Sequence, residues 1–235
     1  MAEEEEFKLP IKKIEDTLQD SLKCIIYAPS GSGKTSLLGT LDEDTTLIIS
    51  AESGLLSIKG KKHDVIEVKS MAQLRKVYDY LASGKSPYKN VALDSLSEIS
   101  RIHVAELEAI PEFKDPKNTF KMWGVYDKRM RSIVTSFRDL KGINVFFTAL
   151  VEDVSDGGII IKKPAIKGSK LQGELISYFD EVFYIEVDAE GNRFVRHDST
   201  NIYEAKDRSN GLPEEIMFKK DSTDMLEQIK AWASS

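Results

Sequence analysis

The segment Ala28-Pro29-Ser30-Gly31-Ser32-Gly33-Lys34-Thr35 constrains what this 235-residue chain can fold into more than any other. It follows an apolar run over 23–27 that reads as a short buried strand, and it leads into a stretch from 34 to 41 that reads as a helix. A strand, a glycine turn, Lys-Thr and a helix in that order form a phosphate-binding loop. Gly31 and Gly33 let backbone N–H groups come close to phosphates, and those amides together with the helix N-terminus supply partial positive charge. Lys34 is expected to reach the β- and γ-phosphates, and the Thr35 hydroxyl to ligate magnesium. The expected lining of the nucleotide is Pro29, Ser30, Gly31, Ser32, Gly33, Lys34, Thr35 and Ser36. Ala28 stands where such loops usually carry their first glycine.

The rest of the chain fits an α/β sheet around that loop. Strands are predicted over 45–50, 64–68, 90–93 and 143–150, from apolar and β-branched runs. Helices are predicted over 71–81, 95–109 and 123–140, the first with Leu74, Val77, Tyr78 and Leu81 on one face. Strands alternating with helices imply a mainly parallel central sheet covered on both faces. After residue 150 the chain turns to short strands, at 158–163, 181–187, 193–197 and 201–205, which predict an antiparallel extension at one edge. A last helix is expected over 222–232. Residues 1–20 read as an acidic N-terminal arm available for a subunit contact, and 21–235 as one core.

A magnesium-nucleotide site needs a carboxylate at the end of a neighbouring strand. Val91-Ala92-Leu93-Asp94 supplies one, which places Asp94 at the sheet edge beside the loop. Hydrolysis also needs a group that orients or deprotonates water. The position after Asp94 is Ser95, so the base must come from elsewhere. Glu52 ends the run Ile48-Ile49-Ser50-Ala51 at the same sheet edge and is the candidate; Glu98, one turn into the following helix, is the alternative.

Composition narrows the setting. With one cysteine, Cys24, no internal disulfide can form, which suits a reducing cytoplasm. No apolar run approaches membrane-spanning length, and glutamates at 3–6 are the reverse of a basic leader. The net charge of −6 excludes a uniformly basic surface, so any nucleic-acid contact has to be local. Lys162, Lys163, Lys167 and Lys170 lie among glycines between 157 and 173, where no acid falls between Ile159 and Gly173. Lysines on such a loop can follow a phosphate backbone without reading sequence. Phe120 and Trp123 are candidates for stacking on bases.

Together these features resemble the RecA-like P-loop ATPase core, and in particular the phage-type AAA-domain ATP-binding proteins, a group that includes single-strand annealing and recombination proteins. The likeness rests on Ala28 to Thr35, Asp94-Ser95-Leu96-Ser97, Trp123-Gly124-Val125-Tyr126, Phe179-Asp180-Glu181-Val182, and Ala205-Lys206-Asp207-Arg208 before Gly211-Leu212-Pro213. It implies a RecA-like α/β fold, ATP with Mg2+ as ligands, Glu52 as catalytic glutamate, and a homo-oligomer, ring or filament. It also implies that Lys206 and Arg208 reach into a neighbour's nucleotide site, and that a polar sensor lies in 144–150, where Thr148 is the deep polar side chain. The expected activity is DNA-stimulated ATP hydrolysis on single-stranded DNA, promoting annealing or strand exchange in the host cytoplasm. A single-strand DNA-binding protein is a candidate partner. Two other readings are a nucleotide-dependent scaffold or loader acting through protein partners, and a small-molecule kinase.

Overall fold

A computed structural model describes residues 21–52, 54–219 and 221–234. The arm expected over 1–20 lies outside the described residues. The parallel strands are β1 (Lys23–Ala28), β2 (Thr46–Ser50), β3 (Asp64–Glu67), β4 (Asn90–Asp94), β5 (Asn144–Asp156) and β7 (Glu181–Val187), with β6 (Ile159–Pro164) between the last two in sequence. They stand in the order β3-β2-β4-β5-β1-β7, and β8 (Arg193–Arg196) and β9 (Ile216–Phe218) extend the sheet antiparallel from β7. The expected mixed, mainly parallel α/β architecture is therefore observed.

Side-chain alternation along the strands builds two cores. Ile25 and Tyr27 of β1 face a layer made by α2 (Met71–Ala82), α3 (Leu96–Glu108) and α4 (Thr119–Arg138). Cys24, Ile26 and Ala28 face the other way, onto α1 (Lys34–Leu38) and α6 (Met225–Ala233). Burial on both faces explains why the central strands read as continuous apolar runs. Side chains cap two of the helices: Ser70 accepts from Gln73 N–H at 3.2 Å before α2, and Ser95 accepts from Glu98 N–H at 3.3 Å before α3. Among the described residues no helix is long and apolar enough to cross a membrane.

Four expectations change in detail. The helix after the glycine turn is five residues long and ends at Gly39, where a Cβ would sit 2.4 Å from Ile58 Cγ2, so α1 is shorter than 34–41. The segment 201–205 is not a strand. It crosses between two strands, Glu204 N–H bonding Lys162 O at 3.1 Å and Lys206 N–H bonding Val182 O at 2.9 Å. The three-residue β9 is too short to leave a period in sequence. The lysine-bearing stretch read as a loop is largely regular structure: β5 runs on past the sheet and pairs antiparallel with β6, Val151 facing Pro164, and α5 (Ser169–Glu174) follows.

Candidate active site

The loop closing β1 turns at Gly31 (φ 79°) and Gly33 (φ 101°), backbone conformations that residues with a Cβ rarely adopt. Around Gly31 the space that a Cβ would enter is open to 4 Å. The Lys34 ammonium folds back over the loop and donates to Ala28 O and Pro29 O, each at 3.0 Å. An ammonium has three protons, so one remains for a ligand. Burial pulls the Lys34 pKa below the usual lysine value, and the negative charges of Asp94 and Glu52 act in the opposite direction. With a five-residue helix behind it, the loop's positive character comes from its own amides and Lys34 more than from a long aligned dipole.

Sheet register brings the acids to this loop. Ser50 of β2 lies beside Asp94 of β4, and Ala51 N–H bonds Asp94 O at 2.7 Å. Asp94 is 4% exposed. Its Oδ2 accepts from Thr35 Oγ1 at 2.8 Å, and its Oδ1 accepts from Thr148 Oγ1 at 2.5 Å. Glu52 is exposed just past β2 and accepts a hydrogen bond from Ser95 Oγ. The structure thus gathers Lys34, Thr35, Asp94 and Glu52, which sequence reading assigned from separate segments, and adds Thr148 as the link between β5 and the aspartate. Glu98 is turned elsewhere, paired with Arg101 at 3.0 Å.

These residues fit Mg2+ and a nucleotide. Thr35 and Asp94 offer a hydroxyl and a carboxylate, hard oxygen donors 2.8 Å apart, and magnesium characteristically takes few protein ligands and keeps water in its remaining positions. Thr35 and Asp94 would hold the ion, directly or through water. The glycine amides and Lys34 would hold the phosphates. The ion would supply charge neutralisation between phosphate oxygens.

Sequence reading missed Arg193. It opens β8, and its Nε donates to Ser32 O of the loop at 3.1 Å. A Cβ at Gly33 would meet Arg193 Nε at 2.9 Å and the Phe218 ring at 3.5 Å, so the strand ends of β8 and β9 form a wall of the loop. No local signal marks Arg193; only the antiparallel pairing brings it there.

Arg208 lies beside Glu181, at the opposite end of the parallel β1–β7 pair from the loop, and Lys206 pairs with Val182, which is level with Ile25. Lys206 bridges to Val182 of β7 and its Nζ donates to Ile176 O at 3.1 Å; Arg208 pairs with Asp180 at 3.3 Å. Glu181 Oε1 accepts from Arg208 N–H at 3.2 Å and Ser209 N–H at 3.3 Å, while Oε2 has no hydrogen-bond partner among the described residues. Burial, then Asp207, pushes the Glu181 carboxyl up to about 8, against the pull of those two N–H groups. A carboxyl raised in the folded state stabilises the fold below its unfolded value, and that contribution is lost as pH rises towards about 8. Glu181→Gln is therefore expected to flatten the decline in stability between pH 5 and about 8, which has a limit of about 1.4 kcal/mol per pH unit. Urea unfolding of both proteins across that range measures it; parallel curves would refute the shift.

Of the four lysines assigned to a phosphate backbone, Lys162 pairs with Asp153 at 3.6 Å and Lys163 with Glu204 at 2.8 Å. Lys167 and Lys170 are exposed. Phe120 is 92% exposed in the first turn of α4, whereas Trp123 packs edge-on against Tyr126 with ring centroids 5.4 Å apart.

Comparison with known families matches the model described as "AAA domain" to residues 20–209, most of the chain and all of the phosphate loop and its acids. No curated protein matches the chain. The nucleotide loop, its lysine and the strand-end acids are what ATP binding and hydrolysis in such a domain require, and the chain belongs to the AAA-domain family of nucleotide-binding ATPases.

Proposed function

We propose that this protein is a magnesium-dependent ATPase that oligomerises on single-stranded DNA and uses ATP turnover to promote annealing or strand exchange. The observation that carries the proposal is the wiring between the nucleotide loop and the lysine-bearing segment. The helix α3 begins two residues after Asp94. Its Ser97 hydroxyl donates to Ala165 O at 2.6 Å and accepts from Leu150 N–H at 2.8 Å, and its Ser100 Oγ accepts from Lys167 N–H at 2.8 Å. A shift of Asp94 on nucleotide binding would be carried by these bonds to Lys167 and, through the turn that follows, to Lys170. With Lys162 and Lys163 held in ion pairs, Lys167 and Lys170 are the lysines of this set left for phosphates, and Phe120 offers an exposed ring for a base.

The test is the ATPase rate with and without single-stranded DNA. DNA is expected to raise the wild-type rate, and a Lys167→Ala/Lys170→Ala double variant to lose most of that rise. Lys162→Ala/Lys163→Ala should lose less. If DNA neither binds nor changes the rate of the unaltered protein, the recombination reading is wrong. Oligomerisation adds its own prediction. Because Arg208 lies at the far end of β1 from its own loop, its action on a nucleotide would be in a neighbouring subunit. Arg208→Ala should lower turnover by at least about tenfold while leaving nucleotide affinity unchanged. Wild-type turnover in that variant would remove the trans role.

A further inference from the structure

We infer that Arg193 is a positioning residue of the phosphate loop, holding the Ser32–Gly33 peptide so that the Gly33 N–H is aimed at the phosphates of a bound nucleotide; this rests on the loop's being the nucleotide site. The arginine is fixed by two carbonyls from different segments, its Nε donating to Ser32 O at 3.1 Å and its Nη1 to Gly191 O at 3.1 Å. The Ser32 carbonyl and the Gly33 N–H belong to one planar peptide unit, and among the described residues the only cis bond is elsewhere, at Asp94-Ser95. In a trans unit the C=O and N–H point in opposite directions. A guanidinium that holds the carbonyl on its own side therefore directs the N–H away from itself, and a phosphate donor is oriented before any ligand arrives. Donors fixed in advance need no reorganisation on binding.

Gly33 and Arg193 specify one another. A side chain at Gly33 would collide with Arg193 Nε, and the φ of 101° there already disfavours one. One further feature separates Arg193 from an ordinary strand arginine. It has no carboxylate partner among the described residues, so its charge adds to that of Lys34 at the loop. Arg196, on the same strand, is neutralised by Glu186 at 2.7 Å and lies over the Phe194 ring at 4.7 Å.

The experiment measures equilibrium binding of Mg–ATP and Mg–ADP, with steady-state turnover, for the wild type, Arg193→Ala, Arg193→Lys and Arg196→Ala. Arg193→Ala is expected to bind both nucleotides about 10–100-fold more weakly, the loss of a charge-assisted contact. Its kcat at saturation stays within about threefold of wild type, because an oriented cradle holds ground and transition states alike. Arg193→Lys recovers only part of the affinity, since a single ammonium lacks the planar fork that spans both carbonyls. Millimolar guanidinium ion strengthens binding to Arg193→Ala and leaves Arg196→Ala and wild type unchanged, a response that mere loss of packing would not give. Arg193→Ala with ATP affinity within about twofold of wild type overturns the inference. So does a fall in kcat with affinity retained, which would make the arginine a transition-state contact. If the alanine variant does not fold, Arg193→Lys is read by the same criteria. A wild type that binds neither nucleotide overturns the ATPase reading itself, not Arg193's share in it.

Discussion

Glu52→Gln keeps Mg–ATP binding close to wild type and slows hydrolysis by about 10²–10⁴-fold, the range expected when a positioned general base is lost. The geometry separates the two effects. Glu52 lies outside the loop that would hold the phosphates, and the loop's donors, the amides and Lys34, are untouched by the change. The amide of glutamine can still accept the hydrogen bond from Ser95 Oγ, so the turn after β2 keeps its anchor. What disappears is a solvent-exposed carboxylate whose charge acts on Lys34. Glu98 is the internal control. Its carboxylate is committed to Arg101, and Glu98→Gln should hydrolyse ATP at a rate near wild type. Single-turnover hydrolysis beside an equilibrium binding titration reads both quantities. Unchanged hydrolysis in Glu52→Gln, or a large loss in Glu98→Gln, would move the base from one glutamate to the other.

The parts of this site that were legible in sequence are those in which a local signal coincides with a sheet position. An apolar run sets a strand, and the first polar residue after it must emerge at the strand's end. That logic placed Asp94 and the phosphate loop on one sheet edge, with Glu52 beside them, without knowledge of strand order. The resemblance pointed to a polar sensor in 144–150, and Thr148, the deep polar side chain there, proves to bond Asp94. Arg193 was invisible because its neighbour in space, Ser32, lies 161 positions away and the contact depends on antiparallel pairing of β7, β8 and β9. The lysines between 162 and 170 show the opposite failure. Sequence weighed them by charge and by the absence of acids among them, but Lys163 finds Glu204 from a segment that crosses between strands. The segment 201–205 was itself misread, because β-favouring residues at a crossing look the same as those in a strand.

Lys34→Ala is expected to weaken Mg–ATP binding by about 10²-fold and to cost a further about 10²–10³-fold in turnover, with little change in the stability of the nucleotide-free protein. The first two losses follow from geometry. Lys34 is the ammonium nearest the loop's carbonyls, with a proton unused by Ala28 O and Pro29 O, and a charge-assisted bond to phosphate strengthens as charge develops during transfer. The third part follows from sign. Burial lowers the Lys34 pKa in the folded state despite the facing Asp94 and Glu52. A lysine so depressed contributes stability above its unfolded value, and that stability is lost as pH falls through the folded value. At neutral pH the buried ammonium therefore costs the empty fold something, and alanine removes that cost. Of the two carbonyls that lose a partner, that of exposed Pro29 can turn to water, while that of buried Ala28 gives back part of the gain. A thermal melt measures both sides. Ligand at 100 times its dissociation constant stabilises a protein by about 2.7 kcal/mol, and the same concentration, about one dissociation constant for Lys34→Ala, gives only about 0.4 kcal/mol, so Mg–ATP should raise the melting temperature of the wild type far more than that of the variant. The empty variant should melt close to the empty wild type, because the two effects oppose one another. A nucleotide-induced rise of wild-type size in Lys34→Ala would mean that the phosphates are held elsewhere, and the loop would lose its place as the nucleotide site.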